Sequence, residues 1–340
     1  MIEGVLLAIG AGLMLGLYAL PEKFTKEFKY ENTWSLFFLL TMFIVPIVAS
    51  LLLINGFSTI FGNMPSELWL KMALTSVLWG IGVMMWSKAI NYIGLSLGFS
   101  IFIGTVILVG SLLPFIEDGL PESNVILYIL IGIVIVLLGI VFNGRAGILR
   151  EKAELKKAQE GAPKRGNMTT GILIAVVGGL LATGFSYANA AGRPYLHEAS
   201  MAQGNPEWVT AVAVMFPIFI SGGIVMTLYF LWQLSAKKAW EGFKTPAFTS
   251  NFALILIMAV FHYAASALFA YAAFKLGASG NTVGYAIFNT ASVATAIVSG
   301  IITKEWISAP PKARSFLYGG LALMVAGILV VAYANGLGTA

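Results

Sequence analysis

Long, nearly uncharged apolar runs separated by short polar connections dominate this chain, and a run of that kind has few stable forms. About 30 Å of hydrocarbon holds no water to satisfy a backbone N–H or C=O, so a segment of roughly 20 apolar residues must close its hydrogen bonds internally as a helix. Ten windows of 17 to 25 mostly apolar residues can be drawn, at 3–21, 34–54, 70–90, 95–116 and 125–143, then at 169–191, 208–232, 251–273, 282–303 and 315–335. The expected fold is therefore an all-α polytopic membrane protein with ten transmembrane helices. With 59% of its 340 residues hydrophobic and 10% charged, the chain has too few polar side chains to coat a soluble globule. The first run lacks a basic leader and a small-residue cleavage site, so it is expected to be a retained helix rather than a signal peptide.

The stretch WGIGVMMWSKAINYIGLSLGFSIFIGTVILVGSLLP, Trp79 to Pro114, reads as a membrane hairpin turning around Asn91, Tyr92 and Gly94. Trp79, Trp86 and Lys88 sit on its first arm; Gly98, Gly104, Gly110 and Thr105 sit on its second. Small residues let helix backbones approach, and polar groups inside the membrane must face protein or a cavity.

Lysine and arginine set the orientation, because cytoplasmic loops are enriched in them. One alternating set of connections holds 17 of the 20 basic residues, leaving Lys71, Arg193 and Lys275 on the other side. Both termini are expected outside the cytoplasm. The charged stretch Arg145 to Arg165, which carries REKAELKKAQEGAPKR, divides the chain into an N-terminal repeat at 1–143, a cytoplasmic linker at 144–168 and a C-terminal repeat at 169–340. Membrane lipid is the surrounding partner; the linker's glutamates dilute its charge, which favours a solvated linker over a lipid-binding segment.

The halves resemble each other. GVLLAIGAGLMLGLY at 4–18 aligns with GILIAVVGGLLATGF at 171–185, matching Gly4 with Gly171 and Gly12 with Gly179. Pro46 matches Pro217, Gly94 matches Gly277, and Gly139-Ile140 matches Gly327-Ile328, all in the same order. Five helices per half is an odd number, so the expectation is two inverted five-helix repeats, a recurrent basis for alternating access.

Other function classes find little support. The net charge of +5 is spread by loop rather than gathered on one face, which argues against a nucleic-acid partner, and the absence of cysteine excludes disulfides and thiol chemistry. No phosphate-cradling loop, metal-ligand cluster or cofactor motif is present, and two histidines make no convincing triad, so an enzyme is not expected.

Four segments, LYALPEKFTKEFKYENTWS, the WGIG followed by NYIGLSLGFSIFIG, NAAGRPYLHEA, and the KEW at 304–306, resemble the L-rhamnose–proton symporter family, a branch of the drug/metabolite transporter superfamily. The resemblance covers essentially the whole chain. It implies a ten-helix carrier of the bacterial inner membrane in which proton entry drives uptake of L-rhamnose or a similar deoxy sugar. Residues 261–303 depart from the family pattern, which keeps an exporter or exchanger of another small metabolite as the alternative.

A sugar offers hydroxyls that need donors and acceptors and an apolar C–H face that packs on an aromatic ring. The candidate substrate-binding residues are Trp79, Trp86, Thr105, Asn189, Tyr263 and Asn289. For each aromatic, filling space between helices is the competing role; a buried amide is costly without partners, which favours Asn189 and Asn289. The cavity is expected to be built chiefly from the first, third, fourth, sixth, eighth and ninth helices. No acid falls in the middle of a window. His262, with an ordinary pKa of about 6.5, is the first proton-coupling candidate, with a neutral hydrogen-bonding role open beside it. Glu198, beside His197 in the expected loop after the sixth helix, is the second; a solvated loop acid is its alternative. Lys88 is expected to snorkel to the interface, and Arg193 to anchor the end of the sixth helix through its dipole.

Overall fold

The structure is a computed structural model that describes residues 2–113, 115–120, 122–157, 167–277, 280–304 and 306–337. We label its long helices α1 (Ile2–Leu17), α2 (Tyr30–Leu53), α3 (Ser66–Ile93), α4 (Leu95–Leu112), α5 (Ser123–Lys157), α6 (Met168–Ala202), α7 (Glu207–Ala236), α8 (Phe248–Lys275), α9 (Gly280–Ile302) and α10 (Pro311–Leu337). Among the described residues no strand occurs and nine helices are long and apolar enough to cross a membrane; the apolar part of α4, Leu97–Leu112, is shorter. The protein is an all-helical, polytopic membrane protein.

Local sequence explains the breaks. Gly94 (φ 82°) makes the turn between α3 and α4, and Gly277 (φ 78°) follows α8; glycine enters that left-handed region without a Cβ penalty. Pro46 cannot donate to the carbonyl four residues back, and the turn before it, Leu40–Ile44, opens into a π-helical turn that bends α2. The fifth window runs on as helix through Lys157, where the Arg150–Glu154 pair at 2.8 Å and Arg150 over the Trp306 ring at 5.1 Å support it. The remainder of the expected linker, 158–166, lies outside the described residues.

The sixth helix corrects the sequence expectation. NAAGRPYLHEA is not a loop: α6 bends at Thr183 but continues through Pro194 to Ala202. From Asn189 on, its buried residues are Asn189, Ala190, Gly192, Leu196 and Ser200, the last three recurring every four positions, so a helical stripe persists where hydropathy falls. Arg193 and Glu198 consequently lie within a helix rather than at or beyond its end.

Cross-contacts define two ends of the bundle. At one, the Lys26 backbone exchanges hydrogen bonds with Asn251, Lys237 pairs with Glu31 at 2.5 Å, and Lys23 donates to Thr303 at 3.2 Å. We call this the basic end. At the other, Asn55 exchanges hydrogen bonds with Asn205 and Lys275 pairs with Glu207 at 2.8 Å. Between them α1 lies against α8 and α9, α6 lies against α3 and α4, and α5 pairs with α10.

Glycine makes these contacts close. A Cβ at Gly12 would fall 2.5 Å from Ala291 Cβ and 2.8 Å from the Phe288 carbonyl; one at Gly179 would fall 2.7 Å from Thr105 Cβ and 2.9 Å from the Phe102 carbonyl. Gly179→Val is expected to destabilise the protein by about 1–3 kcal/mol through overpacking. Gly62→Ala, with nothing within 4 Å of the added Cβ, serves as the control. Thermal unfolding in detergent, followed by tryptophan fluorescence, checks the difference.

Candidate functional site

A cavity of about 310 Å³ opens between the helices, lined by Tyr18 just after α1, Phe37 and Met42 of α2, Trp79 and Trp86 of α3, Phe99 and Phe102 of α4, His262 of α8, and Asn289 and Ser292 of α9. A smaller space of about 130 Å³ adjoins it, sharing Trp79, Phe102, His262 and Asn289 and adding Phe185, Ser266 and Tyr285. Lining from α2 was not anticipated. The lining residues Phe37, Phe38 and Met42 lie just before and within the turn that precedes Pro46, but periodicity alone does not say which face a bent helix presents.

The walls are aromatic and the polar groups few. Trp86 is stacked on Phe102, with ring centroids 5.7 Å apart, and lies edge-on to Phe99 at 5.9 Å. Its indole N–H is buried without a hydrogen-bond partner, a state that costs about 1–3 kcal/mol. The His262 ring packs among Tyr18 at 5.0 Å, Phe37 at 5.5 Å and Phe219 at 5.5 Å, and its Nδ1 lies 3.1 Å from the Thr41 hydroxyl. Asn289 donates to the Tyr285 carbonyl at 2.9 Å, Ser292 to the Asn289 carbonyl at 2.8 Å, and Ser266 to the His262 carbonyl at 3.0 Å. In each, a side chain uses a carbonyl of its own helix, the usual way to keep a polar group in a bundle interior satisfied.

The cavity is closed toward the end bearing Glu207 and Lys275. Phe185, Phe269 and Tyr285 pack together at centroid distances of 5.6–6.3 Å. Beyond them Asn189 donates to Asn281 at 2.7 Å, with both residues fully buried, and Ser186 donates to the Gly110 carbonyl at 2.7 Å. In the other direction the lining residues Tyr18, Ala19 and Ala296 approach the helix ends that carry Lys23 and Thr303.

Of the sequence candidates, the structure brings Trp79, Trp86, His262 and Asn289 together around one space. The other four lie elsewhere. Thr105 donates to the Ile101 carbonyl at 2.9 Å and faces α6 and a separate apolar groove of about 640 Å³ between α4, α5 and α6, being turned about 60° around α4 from Phe102. Tyr263, next to His262 but turned about 100° around the helix, donates to the Val212 carbonyl at 3.3 Å. Asn189 belongs to the closed end. Glu198 is exposed, whereas its neighbour His197 turns inward to Thr210 at 3.2 Å and Phe274 at 4.7 Å.

With this arrangement in view, comparison with known proteins is decisive on family. The sequence model described as L-rhamnose-proton symport protein matches residues 1–340. The chain belongs to that family. The L-rhamnose-proton symporter of Salmonella paratyphi A is 28% identical over 345 residues, covering 98% of this chain and 96% of the relative. That of Escherichia coli strain 55989 is 28% identical over 340 residues, covering 96% of each. The family is one of transporters rather than enzymes.

The closed end yields a stability prediction. Asn189→Leu removes the partner of a buried amide and is expected to lower stability by about 1–3 kcal/mol. An unchanged melting temperature in detergent would show that the pair contributes nothing to the closed arrangement.

Proposed function

We propose that this chain is a secondary transporter of the bacterial inner membrane that couples proton entry to uptake of L-rhamnose or a similar deoxy sugar. Its similarity to named L-rhamnose-proton symporters over nearly the full length of both chains supports this reading. The single structural observation that carries it is the cavity: aromatic faces for a sugar's C–H side, amide, hydroxyl and imidazole groups for its hydroxyls, and an unpartnered Trp86 N–H that a substrate hydroxyl can satisfy. Its volume lies at the lower end of the usual small-molecule range of about 300–1,000 Å³. Trp79, Trp86 and Asn289 hold the sugar in this proposal, and His262 carries the proton.

The proposed mechanism is alternating access by ten helices in two inverted five-helix repeats, with both termini outside. Reciprocal contacts support it. A Cβ at Gly4 would meet Leu276, the residue before Gly277; one at Gly171 would meet Ile93, the residue before Gly94. Gly12 and Gly179 approach α9 and α4 in the same way, and Gly139 and Gly327 each face the other's helix. Each repeat's first helix thus packs on the other repeat's third and fourth, the relation an exchange of conformations requires.

Labelled L-rhamnose uptake into proteoliposomes, with and without an inward proton gradient, tests the proposal. Gradient-stimulated accumulation that an uncoupler abolishes is expected; absence of uptake by folded protein would discard rhamnose and favour the exporter or exchanger. His262→Gln is expected to abolish gradient-driven accumulation while counterflow exchange continues. Wild-type accumulation in that variant would remove His262 from the coupling route.

A further inference from the structure

Coupling at His262 leaves open how a proton passes between the cavity and the solution at the basic end. The described acids near the bundle ends differ in what they face. Glu31 carries Lys237 and Glu207 carries Lys275, so each is held as a compensated ion pair. Glu27 accepts the Thr245 hydroxyl, and Glu198 is exposed.

Glu22 is different. It lies in the 3₁₀ turn Leu20–Phe24 directly after α1, half-buried, and its Oε1 accepts the indole N–H of Trp34 at 2.8 Å. The adjacent Lys23 reaches to Thr303. A neutral donor steadies the carboxylate without supplying the positive charge that would hold a proton off it. The same hydrogen bond survives protonation, because the carbonyl oxygen of a neutral acid also accepts an N–H.

Glu22 is also placed to reach the cavity. It follows Tyr18 by four residues, across the turn that joins the end of α1 to the 3₁₀ segment. Tyr18 lines the cavity, stacks on Phe37 at 5.4 Å, and lies with its ring 5.0 Å from that of His262 and 6.4 Å from that of Trp34. The titratable groups around the carboxylate are Tyr18 just after α1, Tyr30 on α2 and Lys23 on its own turn. Helix α8, which packs on this turn, contributes His262 beyond Tyr18 and meets Lys26 through the neutral Asn251.

We propose that Glu22 is the carboxylate that exchanges the coupling proton between the cavity and the solution at the basic end, held for that task by Trp34 and connected to His262 past Tyr18. The proposal rests on the proton-symport reading above. The proton balance is simple: the imidazolium of His262 becomes neutral as it gives up its proton, and the Glu22 carboxylate becomes the neutral acid as it takes one. The acid then releases that proton to solution and regains its charge.

The test uses full-length protein in proteoliposomes, recording L-rhamnose counterflow, gradient-driven accumulation and rhamnose-induced proton flux. Wild type showing all three secures the underlying reading; wild type exchanging rhamnose without proton flux overturns that reading, and this proposal with it. Glu22→Gln is expected to lose proton flux and accumulation while counterflow continues. Wild-type proton flux in Glu22→Gln would overturn the assignment of Glu22 alone and leave the symport reading standing. Trp34→Phe keeps the carboxylate and removes its donor, so it tests the proposal even where Glu22→Gln does not fold. The pH dependence of its accumulation should move upward, because the carboxylate loses more with its donor than the neutral acid does. An unshifted profile would overturn the proposal.

Discussion

Close approach between backbones is the constraint on which the bundle depends. Inside a membrane the apolar surface of a helix gains little by leaving lipid for protein, so association relies on van der Waals contact and on small residues that permit it. At Gly12 and Gly16 of α1, and at Gly171 and Gly179 of α6, neighbouring helices come within distances that a Cβ could enter only by displacing them. Those contacts fix α4 and α9. The two helices then bring Phe99 and Phe102 from one side and Asn289 and Ser292 from the other to the same space. A cavity held in this way owes its shape to positions that never touch its contents.

Much of this was legible in the order of the residues. Nine of the apolar windows and the glycine turn at Gly94 are local or periodic signals, and each corresponds to a feature among the described residues. What escaped depends on direction around a helix. Thr105 and Phe102 are neighbours in depth yet line different spaces, and Tyr263 turns away although His262 beside it turns in. Hydropathy also ended α6 too early: the segment from Arg193 to Glu198 carries charge and a proline, while its buried stripe continues on one side only. Glu22 was overlooked for a related reason. Its significance comes from Trp34, twelve residues away and on another helix.

The polar inventory of the interior follows one rule. Nearly every hydroxyl or amide at the cavity already uses a backbone carbonyl or a neighbouring side chain, so the site is organised before a substrate arrives. Trp86 departs from that rule with a buried, unpartnered N–H, which gains a partner when the space is filled. Aromatic walls contribute in a second way, since they present broad apolar faces while losing little side-chain entropy.

The aromatic plug of Phe185, Phe269 and Tyr285, backed by the buried Asn189–Asn281 contact, has an energetic consequence for a cell that lives on its ion gradients. It interrupts the line along which water molecules would otherwise stack from one face of the bundle to the other. Without a continuous wire of water there is no passive conductance, and a resting carrier does not short-circuit the membrane in which it sits.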